Sequence, residues 1–261
     1  MADGSVSSEL LKGQRALVTG GSKGIGAATA EALALAGADV AIVGRDSAGL
    51  AATCDAVARA GRECVAIEAD LHSVDGARRA GELALKHSPH WDILVNNAGI
   101  AKVAPLLQLG AEDLEATFAV NLRAALILSQ LLVPQMIRRS AGKIVNVSSI
   151  GAFIGTPGLG AYAASKAALN QLTRTMAVEW GPHNIQVNAV CPTIVLTDMA
   201  KRIWDEPSRT KERQAKLARI PLGRFCEPRE VADVVVFLAS PAANFLTGQS
   251  IPLEGGMLAA P

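Results

Sequence analysis

The single tyrosine of this 261-residue chain, Tyr162, is followed four positions later by Lys166. Four residues is slightly more than one helical turn, so on a helix both side chains leave the same face. An ammonium beside a phenol favours the phenolate and is expected to pull the tyrosine below its ordinary pKa of about 10. Such a pair supplies a proton donor and acceptor near neutral pH. Far upstream, Thr19-Gly20-Gly21-Ser22-Lys23-Gly24-Ile25-Gly26 follows a β-branched run and opens a helical pattern. Glycines at such a junction let the backbone turn sharply and let a pyrophosphate approach the free amides of the helix N-terminus. The two features together point to a bound dinucleotide and a proton transfer.

Charge at the end of the next strand indicates which dinucleotide. That run closes Val43-Gly44-Arg45, with no carboxylate at its tip to accept from a ribose 2′-hydroxyl. Arg45 and Lys23 can converge on a 2′-phosphate, a group that a guanidinium matches in charge and geometry. NADP(H) is therefore expected over NAD(H). Asp46 falls one residue too late for the ribose role and is expected to cap the helix that starts at Ser47.

These groups need a scaffold, and the hydrophobic pattern describes one. Arg15 to Thr19, Val40 to Val43, Cys64 to Glu68, Ile93 to Asn96, Ile144 to Val147, Ile185 to Val190 and Ser250 to Leu253 read as strands. Most are apolar almost throughout, as strands covered on both faces are. Helical periodicity separates them over residues 25–36, 47–60, 74–87, 112–139 and 161–180, with Pro134 expected to bend or end the fourth. The alternation predicts an α/β fold, a single doubly wound domain with a seven-stranded parallel sheet. That domain is expected to span residues 1–261, with a flexible N-terminus over 1–12. The Gly- and Pro-rich stretch 151–160 is a loop at the carboxyl edge of the sheet. Residues 191–221 are too long for a plain connection and are expected to hold short helices that cover a site.

Half of the residues are apolar but only 3% are aromatic, so the core must be built from Ala, Val, Leu and Ile. A formal charge of +1 offers no field for nucleic acid. The mildly basic stretch Lys201 to Arg219 reads as the solvated face of a helix. Cys54, Cys64, Cys191 and Cys226 lack paired or metal-ligand spacing and are expected to be reduced thiols, with no metal bound. The first residues lack the pattern of a signal peptide, and Ala124 to Ile137 reads as too short and too polar to span a bilayer. The expectation is a cytoplasmic protein without a membrane partner.

Thr19-Gly20 with Gly24 and Gly26, then Asn96-Asn97-Ala98-Gly99, Asn121, Ser149, and Tyr162 with Lys166 together resemble the short-chain dehydrogenase/reductase family, over nearly the whole chain. The resemblance implies a Rossmann-like sheet, a nicotinamide cofactor and hydride transfer between a carbonyl and an alcohol. It makes Tyr162 the general acid/base, Ser149 the holder of the substrate oxygen, Lys166 the tuner of the tyrosine, and Asn121 the support of a water in the proton relay. It also implies a cofactor site. Thr19, Gly20, Ser22, Lys23, Gly24, Ile25 and Gly26 would line its first part, and Arg45, Asp70, Leu71, Asn97, Ala98 and Gly99 the adenosine side. Tyr162, Lys166, Pro192, Thr193, Val195 and Thr197 would face the nicotinamide.

Within the family, Asn121-Leu122-Arg123-Ala124 and Ile220-Pro221-Leu222-Gly223 are similar to tetrameric carbonyl and xylulose reductases. A homotetramer acting on a small carbonyl or secondary alcohol is therefore expected. Ile150 after Ser149 and Leu159 before Tyr162, with Phe153, Ile154 and Trp204, suggest an apolar substrate pocket rather than one for a polyol. Reduction of a 3-oxoacyl-carrier protein, for which Lys201 to Arg219 would offer the basic docking surface, reduction of a sugar, and a regulatory cofactor-binding role without catalysis stand as alternatives.

Overall fold

Each apolar run must bury both of its faces, and the chain does so by pairing the runs side by side and covering them with helices. The computed structural model describes residues 10–259. Strands β1 (Arg15–Thr19), β2 (Asp39–Gly44), β3 (Cys64–Glu68), β4 (Ile93–Asn96), β5 (Gly142–Val147), β6 (Ile185–Pro192) and β7 (Ser250–Leu253) form one sheet. All pairs are parallel, in the order β3-β2-β1-β4-β5-β6-β7. Leu17 at the centre of β1 stands opposite Ala41 of β2 and Leu94 of β4.

Side chains alternate across the sheet with period two. Ala16, Val18, Val40, Ile42, Ile93 and Val95 enter one core with α1 (Gly24–Leu35), α2 (Ser47–Arg59) and α9 (Pro228–Ala239). Leu17, Ala41, Val43, Leu94 and Ile144 enter the other with α3 (Val74–His87), α5 (Ala124–Arg139) and α6 (Gly160–Trp180). Burying each Val, Leu or Ile side chain among them contributes about 1.5–3 kcal/mol. The remaining helices, α4 (Ala111–Phe118), α7 (Asp198–Trp204) and α8 (Thr210–Leu217), lie toward the carboxyl ends of the strands. The last two occupy residues 191–221, where short helices were expected. Asp46 accepts from Gly49 N at 3.1 Å and caps α2, also as expected.

Several expectations need correction. Helix α9 was not anticipated, although Glu227 and Glu230 form a capping box with Pro228 at the first helical position. Pro134 does not end its helix, which continues to Arg139; the carbonyl left without a donor belongs to Gln130, an exposed position. The expected helical stretch 112–139 is present from Ala111, and residues 111–139, unlike the shorter run Ala124 to Ile137, make a 29-residue segment apolar and long enough to cross a membrane. Half of its most apolar window is buried inside the fold, with Leu128, Leu132 and Met136 in the second core. The expected flexible N-terminus lies outside the described residues for positions 1–9, but Leu11 is fully buried and donates to Ala36 O at 2.7 Å. Cys54 and Cys64 are joined in a disulfide, so the expectation of free thiols holds only for Cys191 and Cys226. The turn after α2 brings the two Cα atoms to 5.1 Å, a proximity that sequence spacing does not encode.

Candidate active site

Tyr162 and Lys166 occupy the first turns of α6, where the helix leaves the carboxyl edge of the sheet. Lys166 is only 3% exposed, and its Nζ donates to Val147 O at the end of β5, 2.8 Å away. The same Nζ lies 5.7 Å from the centre of the Tyr162 ring. Burial lowers the lysine to about 8, opposed by Cys191 beneath it. The tyrosine does not follow the sequence expectation of a lowered pKa. Burial raises its phenol, a hydrogen bond with the Ser149 hydroxyl lowers it, and Cys191 adds to the rise. Desolvation of the phenolate outweighs the Ser149 hydrogen bond.

Ser149 begins a short 3-10 turn, Ile150–Ala152, and its Oγ accepts from Gly151 N at 3.0 Å. A methyl group on Gly151 would stand 3.4 Å from that Oγ and 3.8 Å from Cε1 of Tyr162. The hydroxyl and the phenol ring therefore flank one glycine. Both line a cavity of about 270 Å³, as do Ile150 and Leu159, so the four expected pocket residues come together. Ile154 and Trp204 join them, whereas Phe153 is 43% exposed and does not line the cavity. Sequence reasoning missed Ile194, Ile220 and Met257 on its apolar wall, and Lys216 and Arg219 on its polar side.

Asn121 falls in a widened helical turn, Ala119–Arg123, where Ala124 N bonds back to Ala119 O. This π-type turn joins α4 to α5 and was read as part of one regular helix. It projects a buried amide whose Oδ1 accepts from Ile100 N at 2.8 Å. Its Nδ2 donates to Ile100 O and to Ser165 Oγ, both at 3.0 Å. Ser165 in turn donates to Tyr162 O at 2.7 Å. Asn121 thus ties the chain after β4 to the helix turn that carries the tyrosine. Gly99 is the meeting point, since a methyl there would stand 3.4 Å from both Asn121 Oδ1 and Lys166 Nζ.

The glycine turn is held from behind. Thr19 Oγ1 accepts from the backbone amides of Asn97 and Ala98, each at 3.0 Å. Asn97 Nδ2 donates to Thr19 O at 2.8 Å and Gly20 O at 3.2 Å. Gly20 and Gly24 have φ of +66° and +58°, and a Cβ on Gly26 would strike the Gly20 carbonyl. The turn therefore tolerates no side chain at these places, and no acidic residue stands in the first turn of α1. Such a cradle fits a pyrophosphate.

Around it, Ser22 packs against Gly44, and Lys23 is exposed at the N-cap of α1. Arg45 Nη1 lies 3.8 Å from Asp70 Oδ1, both side chains being more than half exposed. Ile25 packs against the first core, while Leu71 is buried in the second. Pro192 ends β6, Thr193 N donates to Leu253 O at 3.0 Å, and Val195 is buried in the first core. Thr197 caps α7, and its Cγ2 lies 3.0 Å from the position of a Cβ on Gly24. The structure thus brings the end of β6 over the glycine turn, which sequence distance conceals.

The chain is similar to known proteins over most of its length. The family described as Enoyl-(Acyl carrier protein) reductase matches residues 20–258. L-xylulose reductase from Bos taurus is 44% identical over 251 residues, spanning 95% of this chain and 98% of that protein. The 3-oxoacyl-(acyl-carrier-protein) reductase of Aquifex aeolicus is 38% identical over 248 residues, spanning 95% and 98%. A crystal structure of a candidate NAD(P) dependent gluconate 5-dehydrogenase from Beutenbergia cavernae, with NADP bound at low occupancy, superposes with a TM-score of 0.90. It is 37% identical, over 97% of this chain and 100% of that one. The sheet order, the glycine turn and these relatives agree: the chain belongs to the short-chain dehydrogenase/reductase family of oxidoreductases.

Proposed function

We propose that the protein interconverts small, largely apolar carbonyl compounds and their secondary alcohols with NADP(H), using Tyr162, Ser149, Lys166 and Asn121. The observation that carries this reading is the placement of Ser149 and Tyr162 on one cavity wall with Lys166 buried behind them. The glycine turn, braced by Thr19 and Asn97, would hold a nicotinamide dinucleotide, which would supply or receive the hydride. As charge develops on the carbonyl oxygen, the Ser149 hydroxyl donates a hydrogen bond to it and Tyr162 Oη gives it a proton. A phenol raised by burial keeps that proton at neutral pH, which suits the reductive direction. Lys166 is largely protonated below about pH 8 and stabilises the phenolate left behind. Asn121 positions Tyr162 through Ser165.

Preference for NADP(H) rests on the β2 tip, where Gly44 packs against Ser22 without a carboxylate and exposed Arg45 follows. Asp70 offsets part of the Arg45 charge, and exposure screens the rest. Ile150, Leu159 and Ile220 favour an apolar substrate. A second reading, reduction of a ketose, draws on relatives named L-xylulose reductase at 41–44% identity. We further assign residues 191–221 as the substrate cover of a single domain, since Trp204 and Lys216 from this segment line the cavity. A homotetramer is supported by apolar side chains left at the surface, Val178 at 78% and Phe245 at 103% exposure. Light scattering at micromolar concentration tests the assembly.

The activity is tested by following reduced nicotinamide absorbance with NADPH and NADH against aliphatic ketones, diketones, ketoses and acetoacetyl thioesters. Turnover of apolar ketones with a preference for NADPH is expected. Ketoses as the sole substrates would replace this reading with the second, and turnover of none would reject both.

A further inference from the structure

The substrate cavity has a chemical polarity that hydride transfer alone does not require. The hydroxyls of Ser149 and Tyr162 line it, and so do the cations Lys216 and Arg219. Apart from Thr156 and Thr193, the rest of the described lining is apolar, with Ile150, Leu159, Ile194, Ile220 and Met257. Among the described residues, no carboxylate lines the cavity. Glu212 pairs with Arg209 at 3.5 Å, Glu230 with Arg224 at 2.6 Å, and Glu254 accepts from Leu258 N at 2.8 Å.

Among the described residues, neither Lys216 nor Arg219 has a side-chain hydrogen bond or ion pair. Lys216 lies in the last turn of α8, where the helix dipole already favours a cation. Arg219 stands beyond the helix end and has no such reason to be there. Two cations facing an apolar cavity with no internal counter-charge attract an anion, and a guanidinium matches a carboxylate with paired donors.

We propose that Lys216 and Arg219 bind a carboxylate carried by the substrate, which would be an oxo acid with an aliphatic spacer between its carbonyl and its acid group. The inference rests on the carbonyl-reductase reading and narrows its substrate class. The carbonyl meets Ser149 and Tyr162, the spacer lies along Ile150, Leu159 and Ile220, and the carboxylate reaches the two cations. Both are specificity-determining residues and take no part in the proton transfer.

The test compares an aliphatic oxo acid with its methyl ester, a neutral compound of nearly the same shape. Wild type is expected to prefer the acid by about tenfold or more in kcat/KM, the factor that one good ionic contact supplies. The difference should lie mainly in KM and shrink as salt is raised. In Lys216→Ala with Arg219→Ala the acid-to-ester ratio should fall at least about tenfold, again through KM. Lys216→Glu should invert the preference toward an amine-bearing ketone. A phosphate ester of the corresponding hydroxyketone, run alongside, shows whether carboxylate or phosphate is the better anion, and a clear win for phosphate would overturn the carboxylate assignment.

Equal use of acid and ester by wild type would overturn the inference while leaving the carbonyl-reductase reading intact. Binding is read separately from Trp204 fluorescence, with Trp204→Phe as the control for the other two tryptophans. Quenching by the acid that disappears in the double alanine variant, without turnover of any ketone, would uphold the anion site and reject the reductase reading. Absence of both quenching and turnover would overturn both.

Discussion

The glycine turn after β1 and the Tyr162 wall of the cavity sit at the same edge of the sheet but are built on different principles. Around Gly20, Gly24 and Gly26 the backbone itself is the working surface. Thr19 and Asn97 fix its path, and the charged side chains Lys23, Arg45 and Asp70 are exposed. Around Tyr162 the working groups are side chains, and Lys166, Asn121 and Ser165 are almost wholly buried. The first region tolerates changes at its charged rim and none at its glycines. The second depends on the protonation and hydrogen bonding of individual atoms, where low dielectric magnifies each loss.

Changes that separate the two regions follow from this contrast. The largest effect is expected from Tyr162→Phe, which removes the proton donor and leaves the cradle whole. Turnover should fall by about 10²–10⁴-fold with dinucleotide affinity preserved. Steady-state rates paired with equilibrium binding of the cofactor check it, and a residual rate above about a tenth would break the contrast.

The next effect concerns stability against pH. Lys166 has a folded pKa of about 8 against an ordinary value of 10.5, so the unfolded chain binds more protons between those values. Stability should therefore rise with pH through that window, by at most roughly 3 kcal/mol for this residue. Half-buried Lys143, also lowered to about 8, adds to the same slope. Tyr162, raised by burial, works in the opposite sense once pH exceeds its ordinary value of about 10. Urea midpoints measured at several pH values should show the rise, and Lys166→Met should flatten it without removing the part due to Lys143.

In the first region, Gly26→Ala forces a methyl into the Gly20 carbonyl. Overpacking of this kind costs about 1–3 kcal/mol, and it should weaken both cofactors alike because it moves the pyrophosphate cradle. Calorimetric binding of NADPH and NADH would show parallel losses. The smallest effect is expected at the charged rim. Arg45→Asp should shift the NADPH-to-NADH ratio of kcat/KM by about tenfold toward NADH. Screening and the Asp70 partner keep it from being larger. Loss of activity with both cofactors would mean that Arg45 holds structure rather than selecting the nucleotide.

The amino-acid sequence by itself determined the seven strands, because runs such as Ala16-Leu17-Val18 and Val40-Ala41-Ile42-Val43 bury both faces and leave a near-continuous apolar signature. It also determined the glycine turn, whose constraint is steric and local, and the Asp46 cap. Helix α9 was legible in its capping box and apolar spacing but went unread. Other features were decided only by tertiary structure. The sign of the Tyr162 shift depends on how deeply neighbouring elements bury the phenol, not on the four-residue interval to Lys166. The widened turn at Asn121 and the Cys54–Cys64 disulfide arise from how distant or folded-back segments meet. Lys216 and Arg219 looked like part of a solvated helix face until α8 was packed over the cavity. Local sterics can be read along a chain, whereas desolvation and convergence depend on what the folded chain brings near each atom.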